Sequence, residues 1–332
     1  MCTAISSIGK DRKKHLFGRT LDVECSFGES VIITPRKFRI NMRHGADICE
    51  HAAIIGIGIV REGIPLYYDA MNEHGLCAAA LNFPQSAVYH EPQRDSLNIA
   101  SFELIGYVLA KCQNTNEVAE MLVGANITND SFSVELGATP MHWMVSDKSG
   151  SIVLEPREDG LMIHKNPYGV LTNEPPFEQQ CTSIADFLHL SASPPINTLY
   201  PQAPIKPYSN GMGAIGLPGD FSSRSRFVRA VFLSAHTVAD GRKIGEIMRF
   251  FGVMDSLRVP RGVVKNSKGR DHFTVYTSCA DSEDKVYYFS TCACRDICAV
   301  RLSEELAEAD RLSVASTVRA QCLNFIPTKF ED

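Results

Sequence analysis

The chain begins Met1-Cys2-Thr3. An initiator methionine followed by a small residue is a substrate for trimming. Removal of Met1 would leave Cys2 with both a thiol, of ordinary pKa about 8.5, and a free α-amine, of ordinary pKa about 7.7–8.0. One residue then holds a nucleophile and a general base, the arrangement used by N-terminal threonine hydrolases. A cysteine at position 2 is also compatible with no function at all, so the remaining residues have to decide.

A length of 332 residues suits one large domain or two ordinary ones, and no stretch marks a boundary or an internal repeat. Hydrophobic residues make up 44% and charged residues 21%, a globular profile. A net charge of -5 supplies no basic field for nucleic acid. The densest basic run, Lys10-Asp-Arg-Lys-Lys-His15, reads as a solvated turn. The start of the chain lacks a basic region followed by an apolar one, and the longest apolar run, Ala52 to Val60, is too short to span a bilayer. The expectation is a cytoplasmic protein with no membrane partner. Eleven cysteines, an odd number in a long chain, argue against a disulfide framework. A reducing compartment also suits a reactive Cys2.

Hydrophobic alternation predicts strands over 2–7 and 16–22 with a turn at Lys10 to Lys14, then strands over 30–35, 52–60, 66–70 and 76–81, the last two joined by Asn72-Glu-His-Gly75. Helical spacing marks 99–109 and 116–122. Four short strands, 141–146, 151–155, 161–165 and 169–172, with turns at Asp147-Lys-Ser-Gly150, Asp159-Gly160 and Asn166-Pro-Tyr-Gly169, read as a meander. Helices are predicted over 177–190, 223–235 and 241–252, and strands over 273–278, 285–290 and 297–302. Residues 191–220, rich in Pro, Gly, Ser and Asn, form the longest irregular segment. Strands thus come in antiparallel groups and helices in pairs. Two antiparallel sheets with helices outside them would bury all of it, an α+β fold.

Most motif tests are negative: the sequence has no P-loop, no His-Glu-x-x-His and no Gly-x-Ser-x-Gly. Gly211-Met-Gly213-Ala-Ile-Gly216 matches the dinucleotide fingerprint but follows a loop, not a strand. Cys292-Ala-Cys294 with Cys298 lacks a second Cys/His pair at metal-site spacing, and the ten histidines include no i, i+4 pair. No metal and no cofactor are expected. Four places do set polar residues where apolar ones are expected. Arg19 and Asp22 end one strand, Asn82 and Asn173 end two others, and Arg226 starts a helix. Each alone reads equally as a cap or turn residue. Together they meet the needs of an N-terminal thiol. A carboxylate such as Asp22 can hold the amine, an arginine such as Arg19 favours the thiolate, and asparagine amides can stabilise an oxyanion.

The order of Met1-Cys2-Thr3, Phe17-Gly-Arg19-Thr-Leu-Asp22, Met71-Asn-Glu-His-Gly75, Leu81-Asn82-Phe-Pro84, His142-Trp143, Leu171-Thr-Asn173, Leu217-Pro-Gly-Asp220 with Ser225-Arg226-Phe227, and Tyr276-Thr-Ser278 resembles the choloylglycine hydrolase family of N-terminal nucleophile hydrolases, over essentially the whole length. That family contains bile salt hydrolases and penicillin V acylases. The resemblance implies a single domain over residues 1–332 with a four-layer αββα sandwich and removal of Met1. It implies Cys2 as nucleophile, its amine as base, Arg19 and Asp22 in support, Asn82 and Asn173 at the oxyanion, and Arg226 completing the set. Bile salt hydrolases typically carry asparagine at the position of Asn82, where penicillin V acylases carry tyrosine. The implied substrate is therefore a glycine- or taurine-conjugated bile salt. Penicillin V or another N-acyl amide, such as an acyl-homoserine lactone, is the alternative. The resemblance further places Leu21, Phe132, Leu136 and Met141 along a sterol pocket. Arg61 stands where a large apolar residue is expected, a departure that bears on the shape of the pocket. A homotetramer is implied as well.

Overall fold

The computed structural model describes residues 1–9, 14–319 and 321. The expected turn at Lys10 to Lys14, with its basic run, therefore lies largely outside the described residues. Its flanks close on each other, the Gly9 N–H donating to the Lys14 carbonyl at 2.8 Å. They join β1 (Cys2–Ile8) to β2 (His15–Val23) as the predicted hairpin.

Four further strands follow: β3 (Ser30–Thr34), β4 (Ile54–Arg61), β5 (Ile64–Asn72) and β6 (Cys77–Asn82). In β4 the two glycines of the apolar run answer a close approach. A Cβ on Gly56 or Gly58 would lie 2.2 or 2.1 Å from a β5 carbonyl oxygen. Next come β7 (Asn98–Ala100), α1 (Leu104–Lys111), α2 (Thr115–Met121) and β8 (Asn126–Thr128). The expected helix over 99–109 is thus divided. Ile99 is drawn into a parallel pair with Ile127, a partner too distant for local periodicity to reveal. Asn114 caps α2 by accepting from the Glu117 N–H, while Glu117 accepts from the Gln113 N–H.

The meander is β9 (Met141–Asp147), β10 (Gly150–Arg157), β11 (Gly160–Lys165) and the short β12 (Val170–Leu171). Then α3 (Phe177–Ser183) gives way to a 3-10 turn at Ile184–Phe187, so the helix expected to reach residue 190 is shorter. Residues 191–220 are irregular apart from one 3-10 turn, Met212–Ala214. The remaining elements are α4 (Ser223–His236), α5 (Lys243–Asp255), β13 (Val264–Lys265), β14 (Asp271–Asp281), β15 (Val286–Thr291), β16 (Cys298–Arg301), α6 (Glu304–Ala307) and β17 (Ser313–Ser316).

Two antiparallel sheets face each other. One runs β12-β1-β2-β14-β15-β16, with β13 on β14, and the other runs β11-β10-β9-β6-β5-β4-β3-β17. Helices α4 and α5 cover the outer side of the first, against β1, β2, β12 and β14. Helices α1 and α2 cover the second, against β5, β6, β9 and β10. The result is the four-layer αββα sandwich. One apolar core fills the space between the sheets and beneath α4 and α5, and a second lies beneath α1. Strand β1 is internal, between β12 and β2, so its first residue is held on both sides. Among the described residues no helix is long and apolar enough to cross a membrane.

Candidate active site

Cys2 opens β1 opposite Leu21 and is only 3% exposed. The pleat directs Arg19, also on β2, into the space between the sheets, where it is 1% exposed. A buried guanidinium needs an acceptor for each donor direction. Nε donates to the Thr20 carbonyl at 3.2 Å, and Nη1 donates to the Tyr68 carbonyl at 3.3 Å and to the Ala80 carbonyl. Nη2 donates to Cys2 Sγ at 2.6 Å. Burial works against the charge of Arg19. The negative potential of Cys2, Tyr276, Asp69 and Asp22 outweighs it, and the guanidinium is held above its ordinary value. A fixed cation therefore touches the Cys2 sulfur.

The backbone nitrogen of Cys2 donates to Asn173 Oδ1 at 2.8 Å. The same oxygen accepts from Arg226 Nη2 at 2.7 Å, and Asn173 Nδ2 donates to the Asn82 carbonyl at 2.8 Å. Arg226 lies in the first turn of α4, whose N-cap is Ser222. Its Nη1 reaches the Cys2 carbonyl and, at 2.6 Å, Thr3 Oγ1. Burial lowers the Arg226 guanidinium from its ordinary value, against the pull of Asp22 and Cys2. The Asp22 carboxylate accepts from Thr274 Oγ1 at 2.5 Å and Thr20 Oγ1 at 3.0 Å. Its backbone brackets the first residue: the Met1 amine donates to the Asp22 carbonyl at 2.7 Å and the Asp22 N–H to the Met1 carbonyl at 3.0 Å. Among the described residues none hydrogen-bonds the side-chain amide of Asn82, which is half-buried.

Residues far apart in sequence thus converge on one thiol and its neighbouring amine. A chain so arranged sets fixed positive charge and hydrogen-bond donors beside one sulfur. The profile of linear amide C–N hydrolases of the choloylglycine hydrolase type matches residues 2–314. The chain belongs to the choloylglycine hydrolase family. It is an enzyme of that family's class, the hydrolases of linear amide C–N bonds. It is 40% identical to a bile salt hydrolase/transferase of Lactiplantibacillus plantarum, over 94% of this chain and 95% of that one. It is 32% identical to a conjugated bile acid hydrolase of Lactobacillus gasseri, over 94% of this chain and 99% of the other. A solved structure of a mutant conjugated bile acid hydrolase from Clostridium perfringens superposes with a TM-score of 0.90 at 30% identity, covering 98% of this chain and 100% of that one. A penicillin V acylase from Agrobacterium tumefaciens shares the fold, with a TM-score of 0.74 at 20% identity over 96% of this chain and 95% of the other.

Within this choloylglycine hydrolase fold the expected pocket residues separate into two groups. Leu21 pairs with Cys2, and Met141 pairs with Asn82, so both flank the cluster. Arg61 is the last residue of β4, paired with Ile64, while Phe132 and Leu136 lie in the loop between β8 and β9. Arg61 is exposed, its guanidinium on the Val60 and Phe27 carbonyls at 3.1 and 3.4 Å. The Phe132 N–H closes a turn onto the Leu136 carbonyl at 2.9 Å, and its ring meets Phe102 edge-on at 5.3 Å. Two open grooves border the Asp22 end of β2, and neither is lined by Cys2. Thr274, which holds Asp22, lies in the wall of one of them.

Sequence reasoning missed the residues that hold the set in place: Thr3, Thr20, Thr274, Ser223 and Asp69. Ser223 Oγ accepts from the Asn173 N–H at 2.8 Å. Asp69, 1% exposed, accepts from Tyr276 at 2.5 Å, from Ser278 at 2.8 Å and from Tyr287. A carboxylate within Leu66-Tyr-Tyr-Asp69-Ala70 was a visible signal, since charges rarely enter such a run unpaired. Among the described residues no group of His, Cys, Asp and Glu is arranged to hold a metal ion.

Proposed function

We propose that this enzyme hydrolyses the amide bond of glycine- or taurine-conjugated bile salts, with Cys2 as nucleophile after removal of Met1. One observation carries the mechanism: Arg19 touches the Cys2 thiol while Asn173 and Arg226 hold its backbone nitrogen and carbonyl. The ionised sulfur attacks the amide carbon, and the carbon–oxygen double bond opens to an oxyanion. The Asn82 side-chain amide and the second N–H of Asn173 Nδ2 are the donors assigned to that oxygen. The freed α-amine of Cys2 takes the thiol proton and delivers it to the departing nitrogen as the C–N bond breaks. Water, deprotonated by the same amine, then cleaves the thioester and restores the thiol. Asn173 Oδ1 keeps the amine oriented, and Asp22, held by its two threonines, supplies the negative charge on that side.

The substrate reading is supported by the names of the relatives, by Asn82, and by apolar Leu21 and Met141 beside the cluster, with Phe132 and Leu136 on the pocket loops. Arg61 at the pocket mouth is read as a modifier of steroid preference. The chain is further read as a single domain over residues 1–332, working as a homotetramer in the cytoplasm, where a reducing medium protects Cys2. A side-by-side comparison of kcat/KM on glycocholate, taurocholate and penicillin V tests the substrate. Conjugated bile salts are expected to be cleaved faster; a clear preference for penicillin V overturns the reading.

A further inference from the structure

Two strand ends deliver the oxyanion donors, Asn82 from β6 and Asn173 just after β12, and they belong to different sheets. Their separation is therefore not fixed by a shared ladder. Two side chains outside the catalytic set bridge them. His142 on β9 pairs with Leu81, one residue before Asn82, and its ring lies 4.3 Å from that of Phe83, at 7°, one residue after it. Its Nε2 meets the Thr172 carbonyl at 2.9 Å, one residue before Asn173. A carbonyl only accepts, so Nε2 carries the proton. Nδ1 lies 3.2 Å from Glu155 Oε1, and that oxygen is itself held by the Phe177 N–H, which donates to it at 3.0 Å, so the ring is fixed from behind. On the outer side Glu174, directly after Asn173, accepts from the Gln85 and Ser86 N–H groups at 2.8 and 3.0 Å and from Ser86 Oγ at 2.8 Å.

We infer that His142 and Glu174 are positioning residues that clamp Asn82 against Asn173 and so set the spacing of the two oxyanion donors. The inference rests on the reading of those asparagines as donors to the substrate carbonyl oxygen. Neither clamp residue takes part in the chemistry. A displaced oxyanion donor loses transition-state stabilisation, whereas ground-state binding of the acyl group is left to the pocket.

The test is steady-state kinetics of Glu174→Ala, His142→Leu and His142→Gln, with thermal unfolding in parallel. Glu174 is half-buried at a loop, so its variant is the safer folding case. Glu174→Ala and His142→Leu are expected to lower kcat roughly tenfold or more with KM within about threefold. His142→Gln, whose amide can still donate to the Thr172 carbonyl, is expected to stay within about fivefold of wild type. If His142→Leu does not fold, Glu174→Ala decides alone. Unchanged kcat with only a lowered Tm, or a rise in KM at constant kcat, overturns the clamp. Both glycocholate and penicillin V are assayed. A wild-type preference for penicillin V then refutes the substrate reading while the variant-to-wild-type ratio still judges the clamp.

Discussion

The β1–β2 hairpin buries polar groups at both of its ends, and the two ends do different things. At the Cys2 end two arginines are buried with their charges, one on the thiol and one on the adjacent carbonyl and amide. At the other end His15 is buried among hydroxyls. Its Nε2 lies 3.0 Å from Ser146 Oγ and 3.3 Å from Ser6 Oγ, and its Nδ1 lies 3.2 Å from Ser282 Oγ. Burial pushes the His15 imidazole down to about 4, against the pull of Asp147, so it is neutral near pH 7. The neutral cluster stitches β1 and β2 to β9 of the facing sheet. The charged cluster sets two guanidinium groups against a sulfur and its adjoining backbone. Buried polarity alone is therefore not a site; what makes one is fixed charge set against an atom that can react.

The largest effect is expected from Cys2→Ala, which should reduce turnover by about 10⁴-fold or more while the thermal unfolding profile stays close to wild type. Wild-type-like rates in that variant would remove the thiol from the mechanism. Next comes Arg19→Lys, which keeps a charge but loses the fork that spans Thr20, Tyr68, Ala80 and Cys2. A loss of roughly 10- to 100-fold in kcat/KM is expected, together with slower alkylation of the thiol by iodoacetamide.

His15→Gln should act on stability and leave kcat near its wild-type value. The folded imidazole titrates near 4 and the unfolded one near 6.5, so the unfolded chain holds the extra proton between those values. The stabilisation from neutral His15 is complete above about pH 6.5 and is lost as pH falls toward 4, at about 1.4 kcal/mol per pH unit. Urea denaturation at several pH values should show that slope in the wild type and a shallower one in His15→Gln. An unchanged slope would mean that His15 is not the group responsible. The smallest effect is expected from Cys25→Ser. Cys25 is an exposed thiol to which no arginine among the described residues donates, and its loss should leave kcat and KM unaltered in the same assays.

Most strands of both sheets were legible as short apolar runs bounded by turn residues, since the central ones are buried on both faces, and Arg19, Asp22, Asn82, Asn173 and Arg226 stood out as polar groups at apolar ends. What was not legible is pairing at a distance. Ile99 leaves a helical pattern because Ile127 offers it a strand partner, and Ser313–Ser316 becomes an edge strand only because β3 lies beside it. The supporting hydroxyls were hidden for the same reason. Nothing local marks Thr274 as the partner of a carboxylate 252 positions away. Hydroxyl residues are common in strands, and only the fold says which of them face a charge. The loop expected to line a pocket was the least legible, since the Phe132 N–H closes on the Leu136 carbonyl within one turn and the two side chains read as ordinary loop packing.

The central claim is that Cys2, freed of Met1, is the nucleophile, and one measurement addresses it directly. An active preparation is titrated with iodoacetamide while intact mass, peptide mapping and residual turnover are followed together. The active chain is expected to begin at Cys2, and turnover to disappear in proportion to carboxamidomethylation of Cys2. An active preparation that retains Met1, or one that keeps full turnover with Cys2 alkylated, would contradict it.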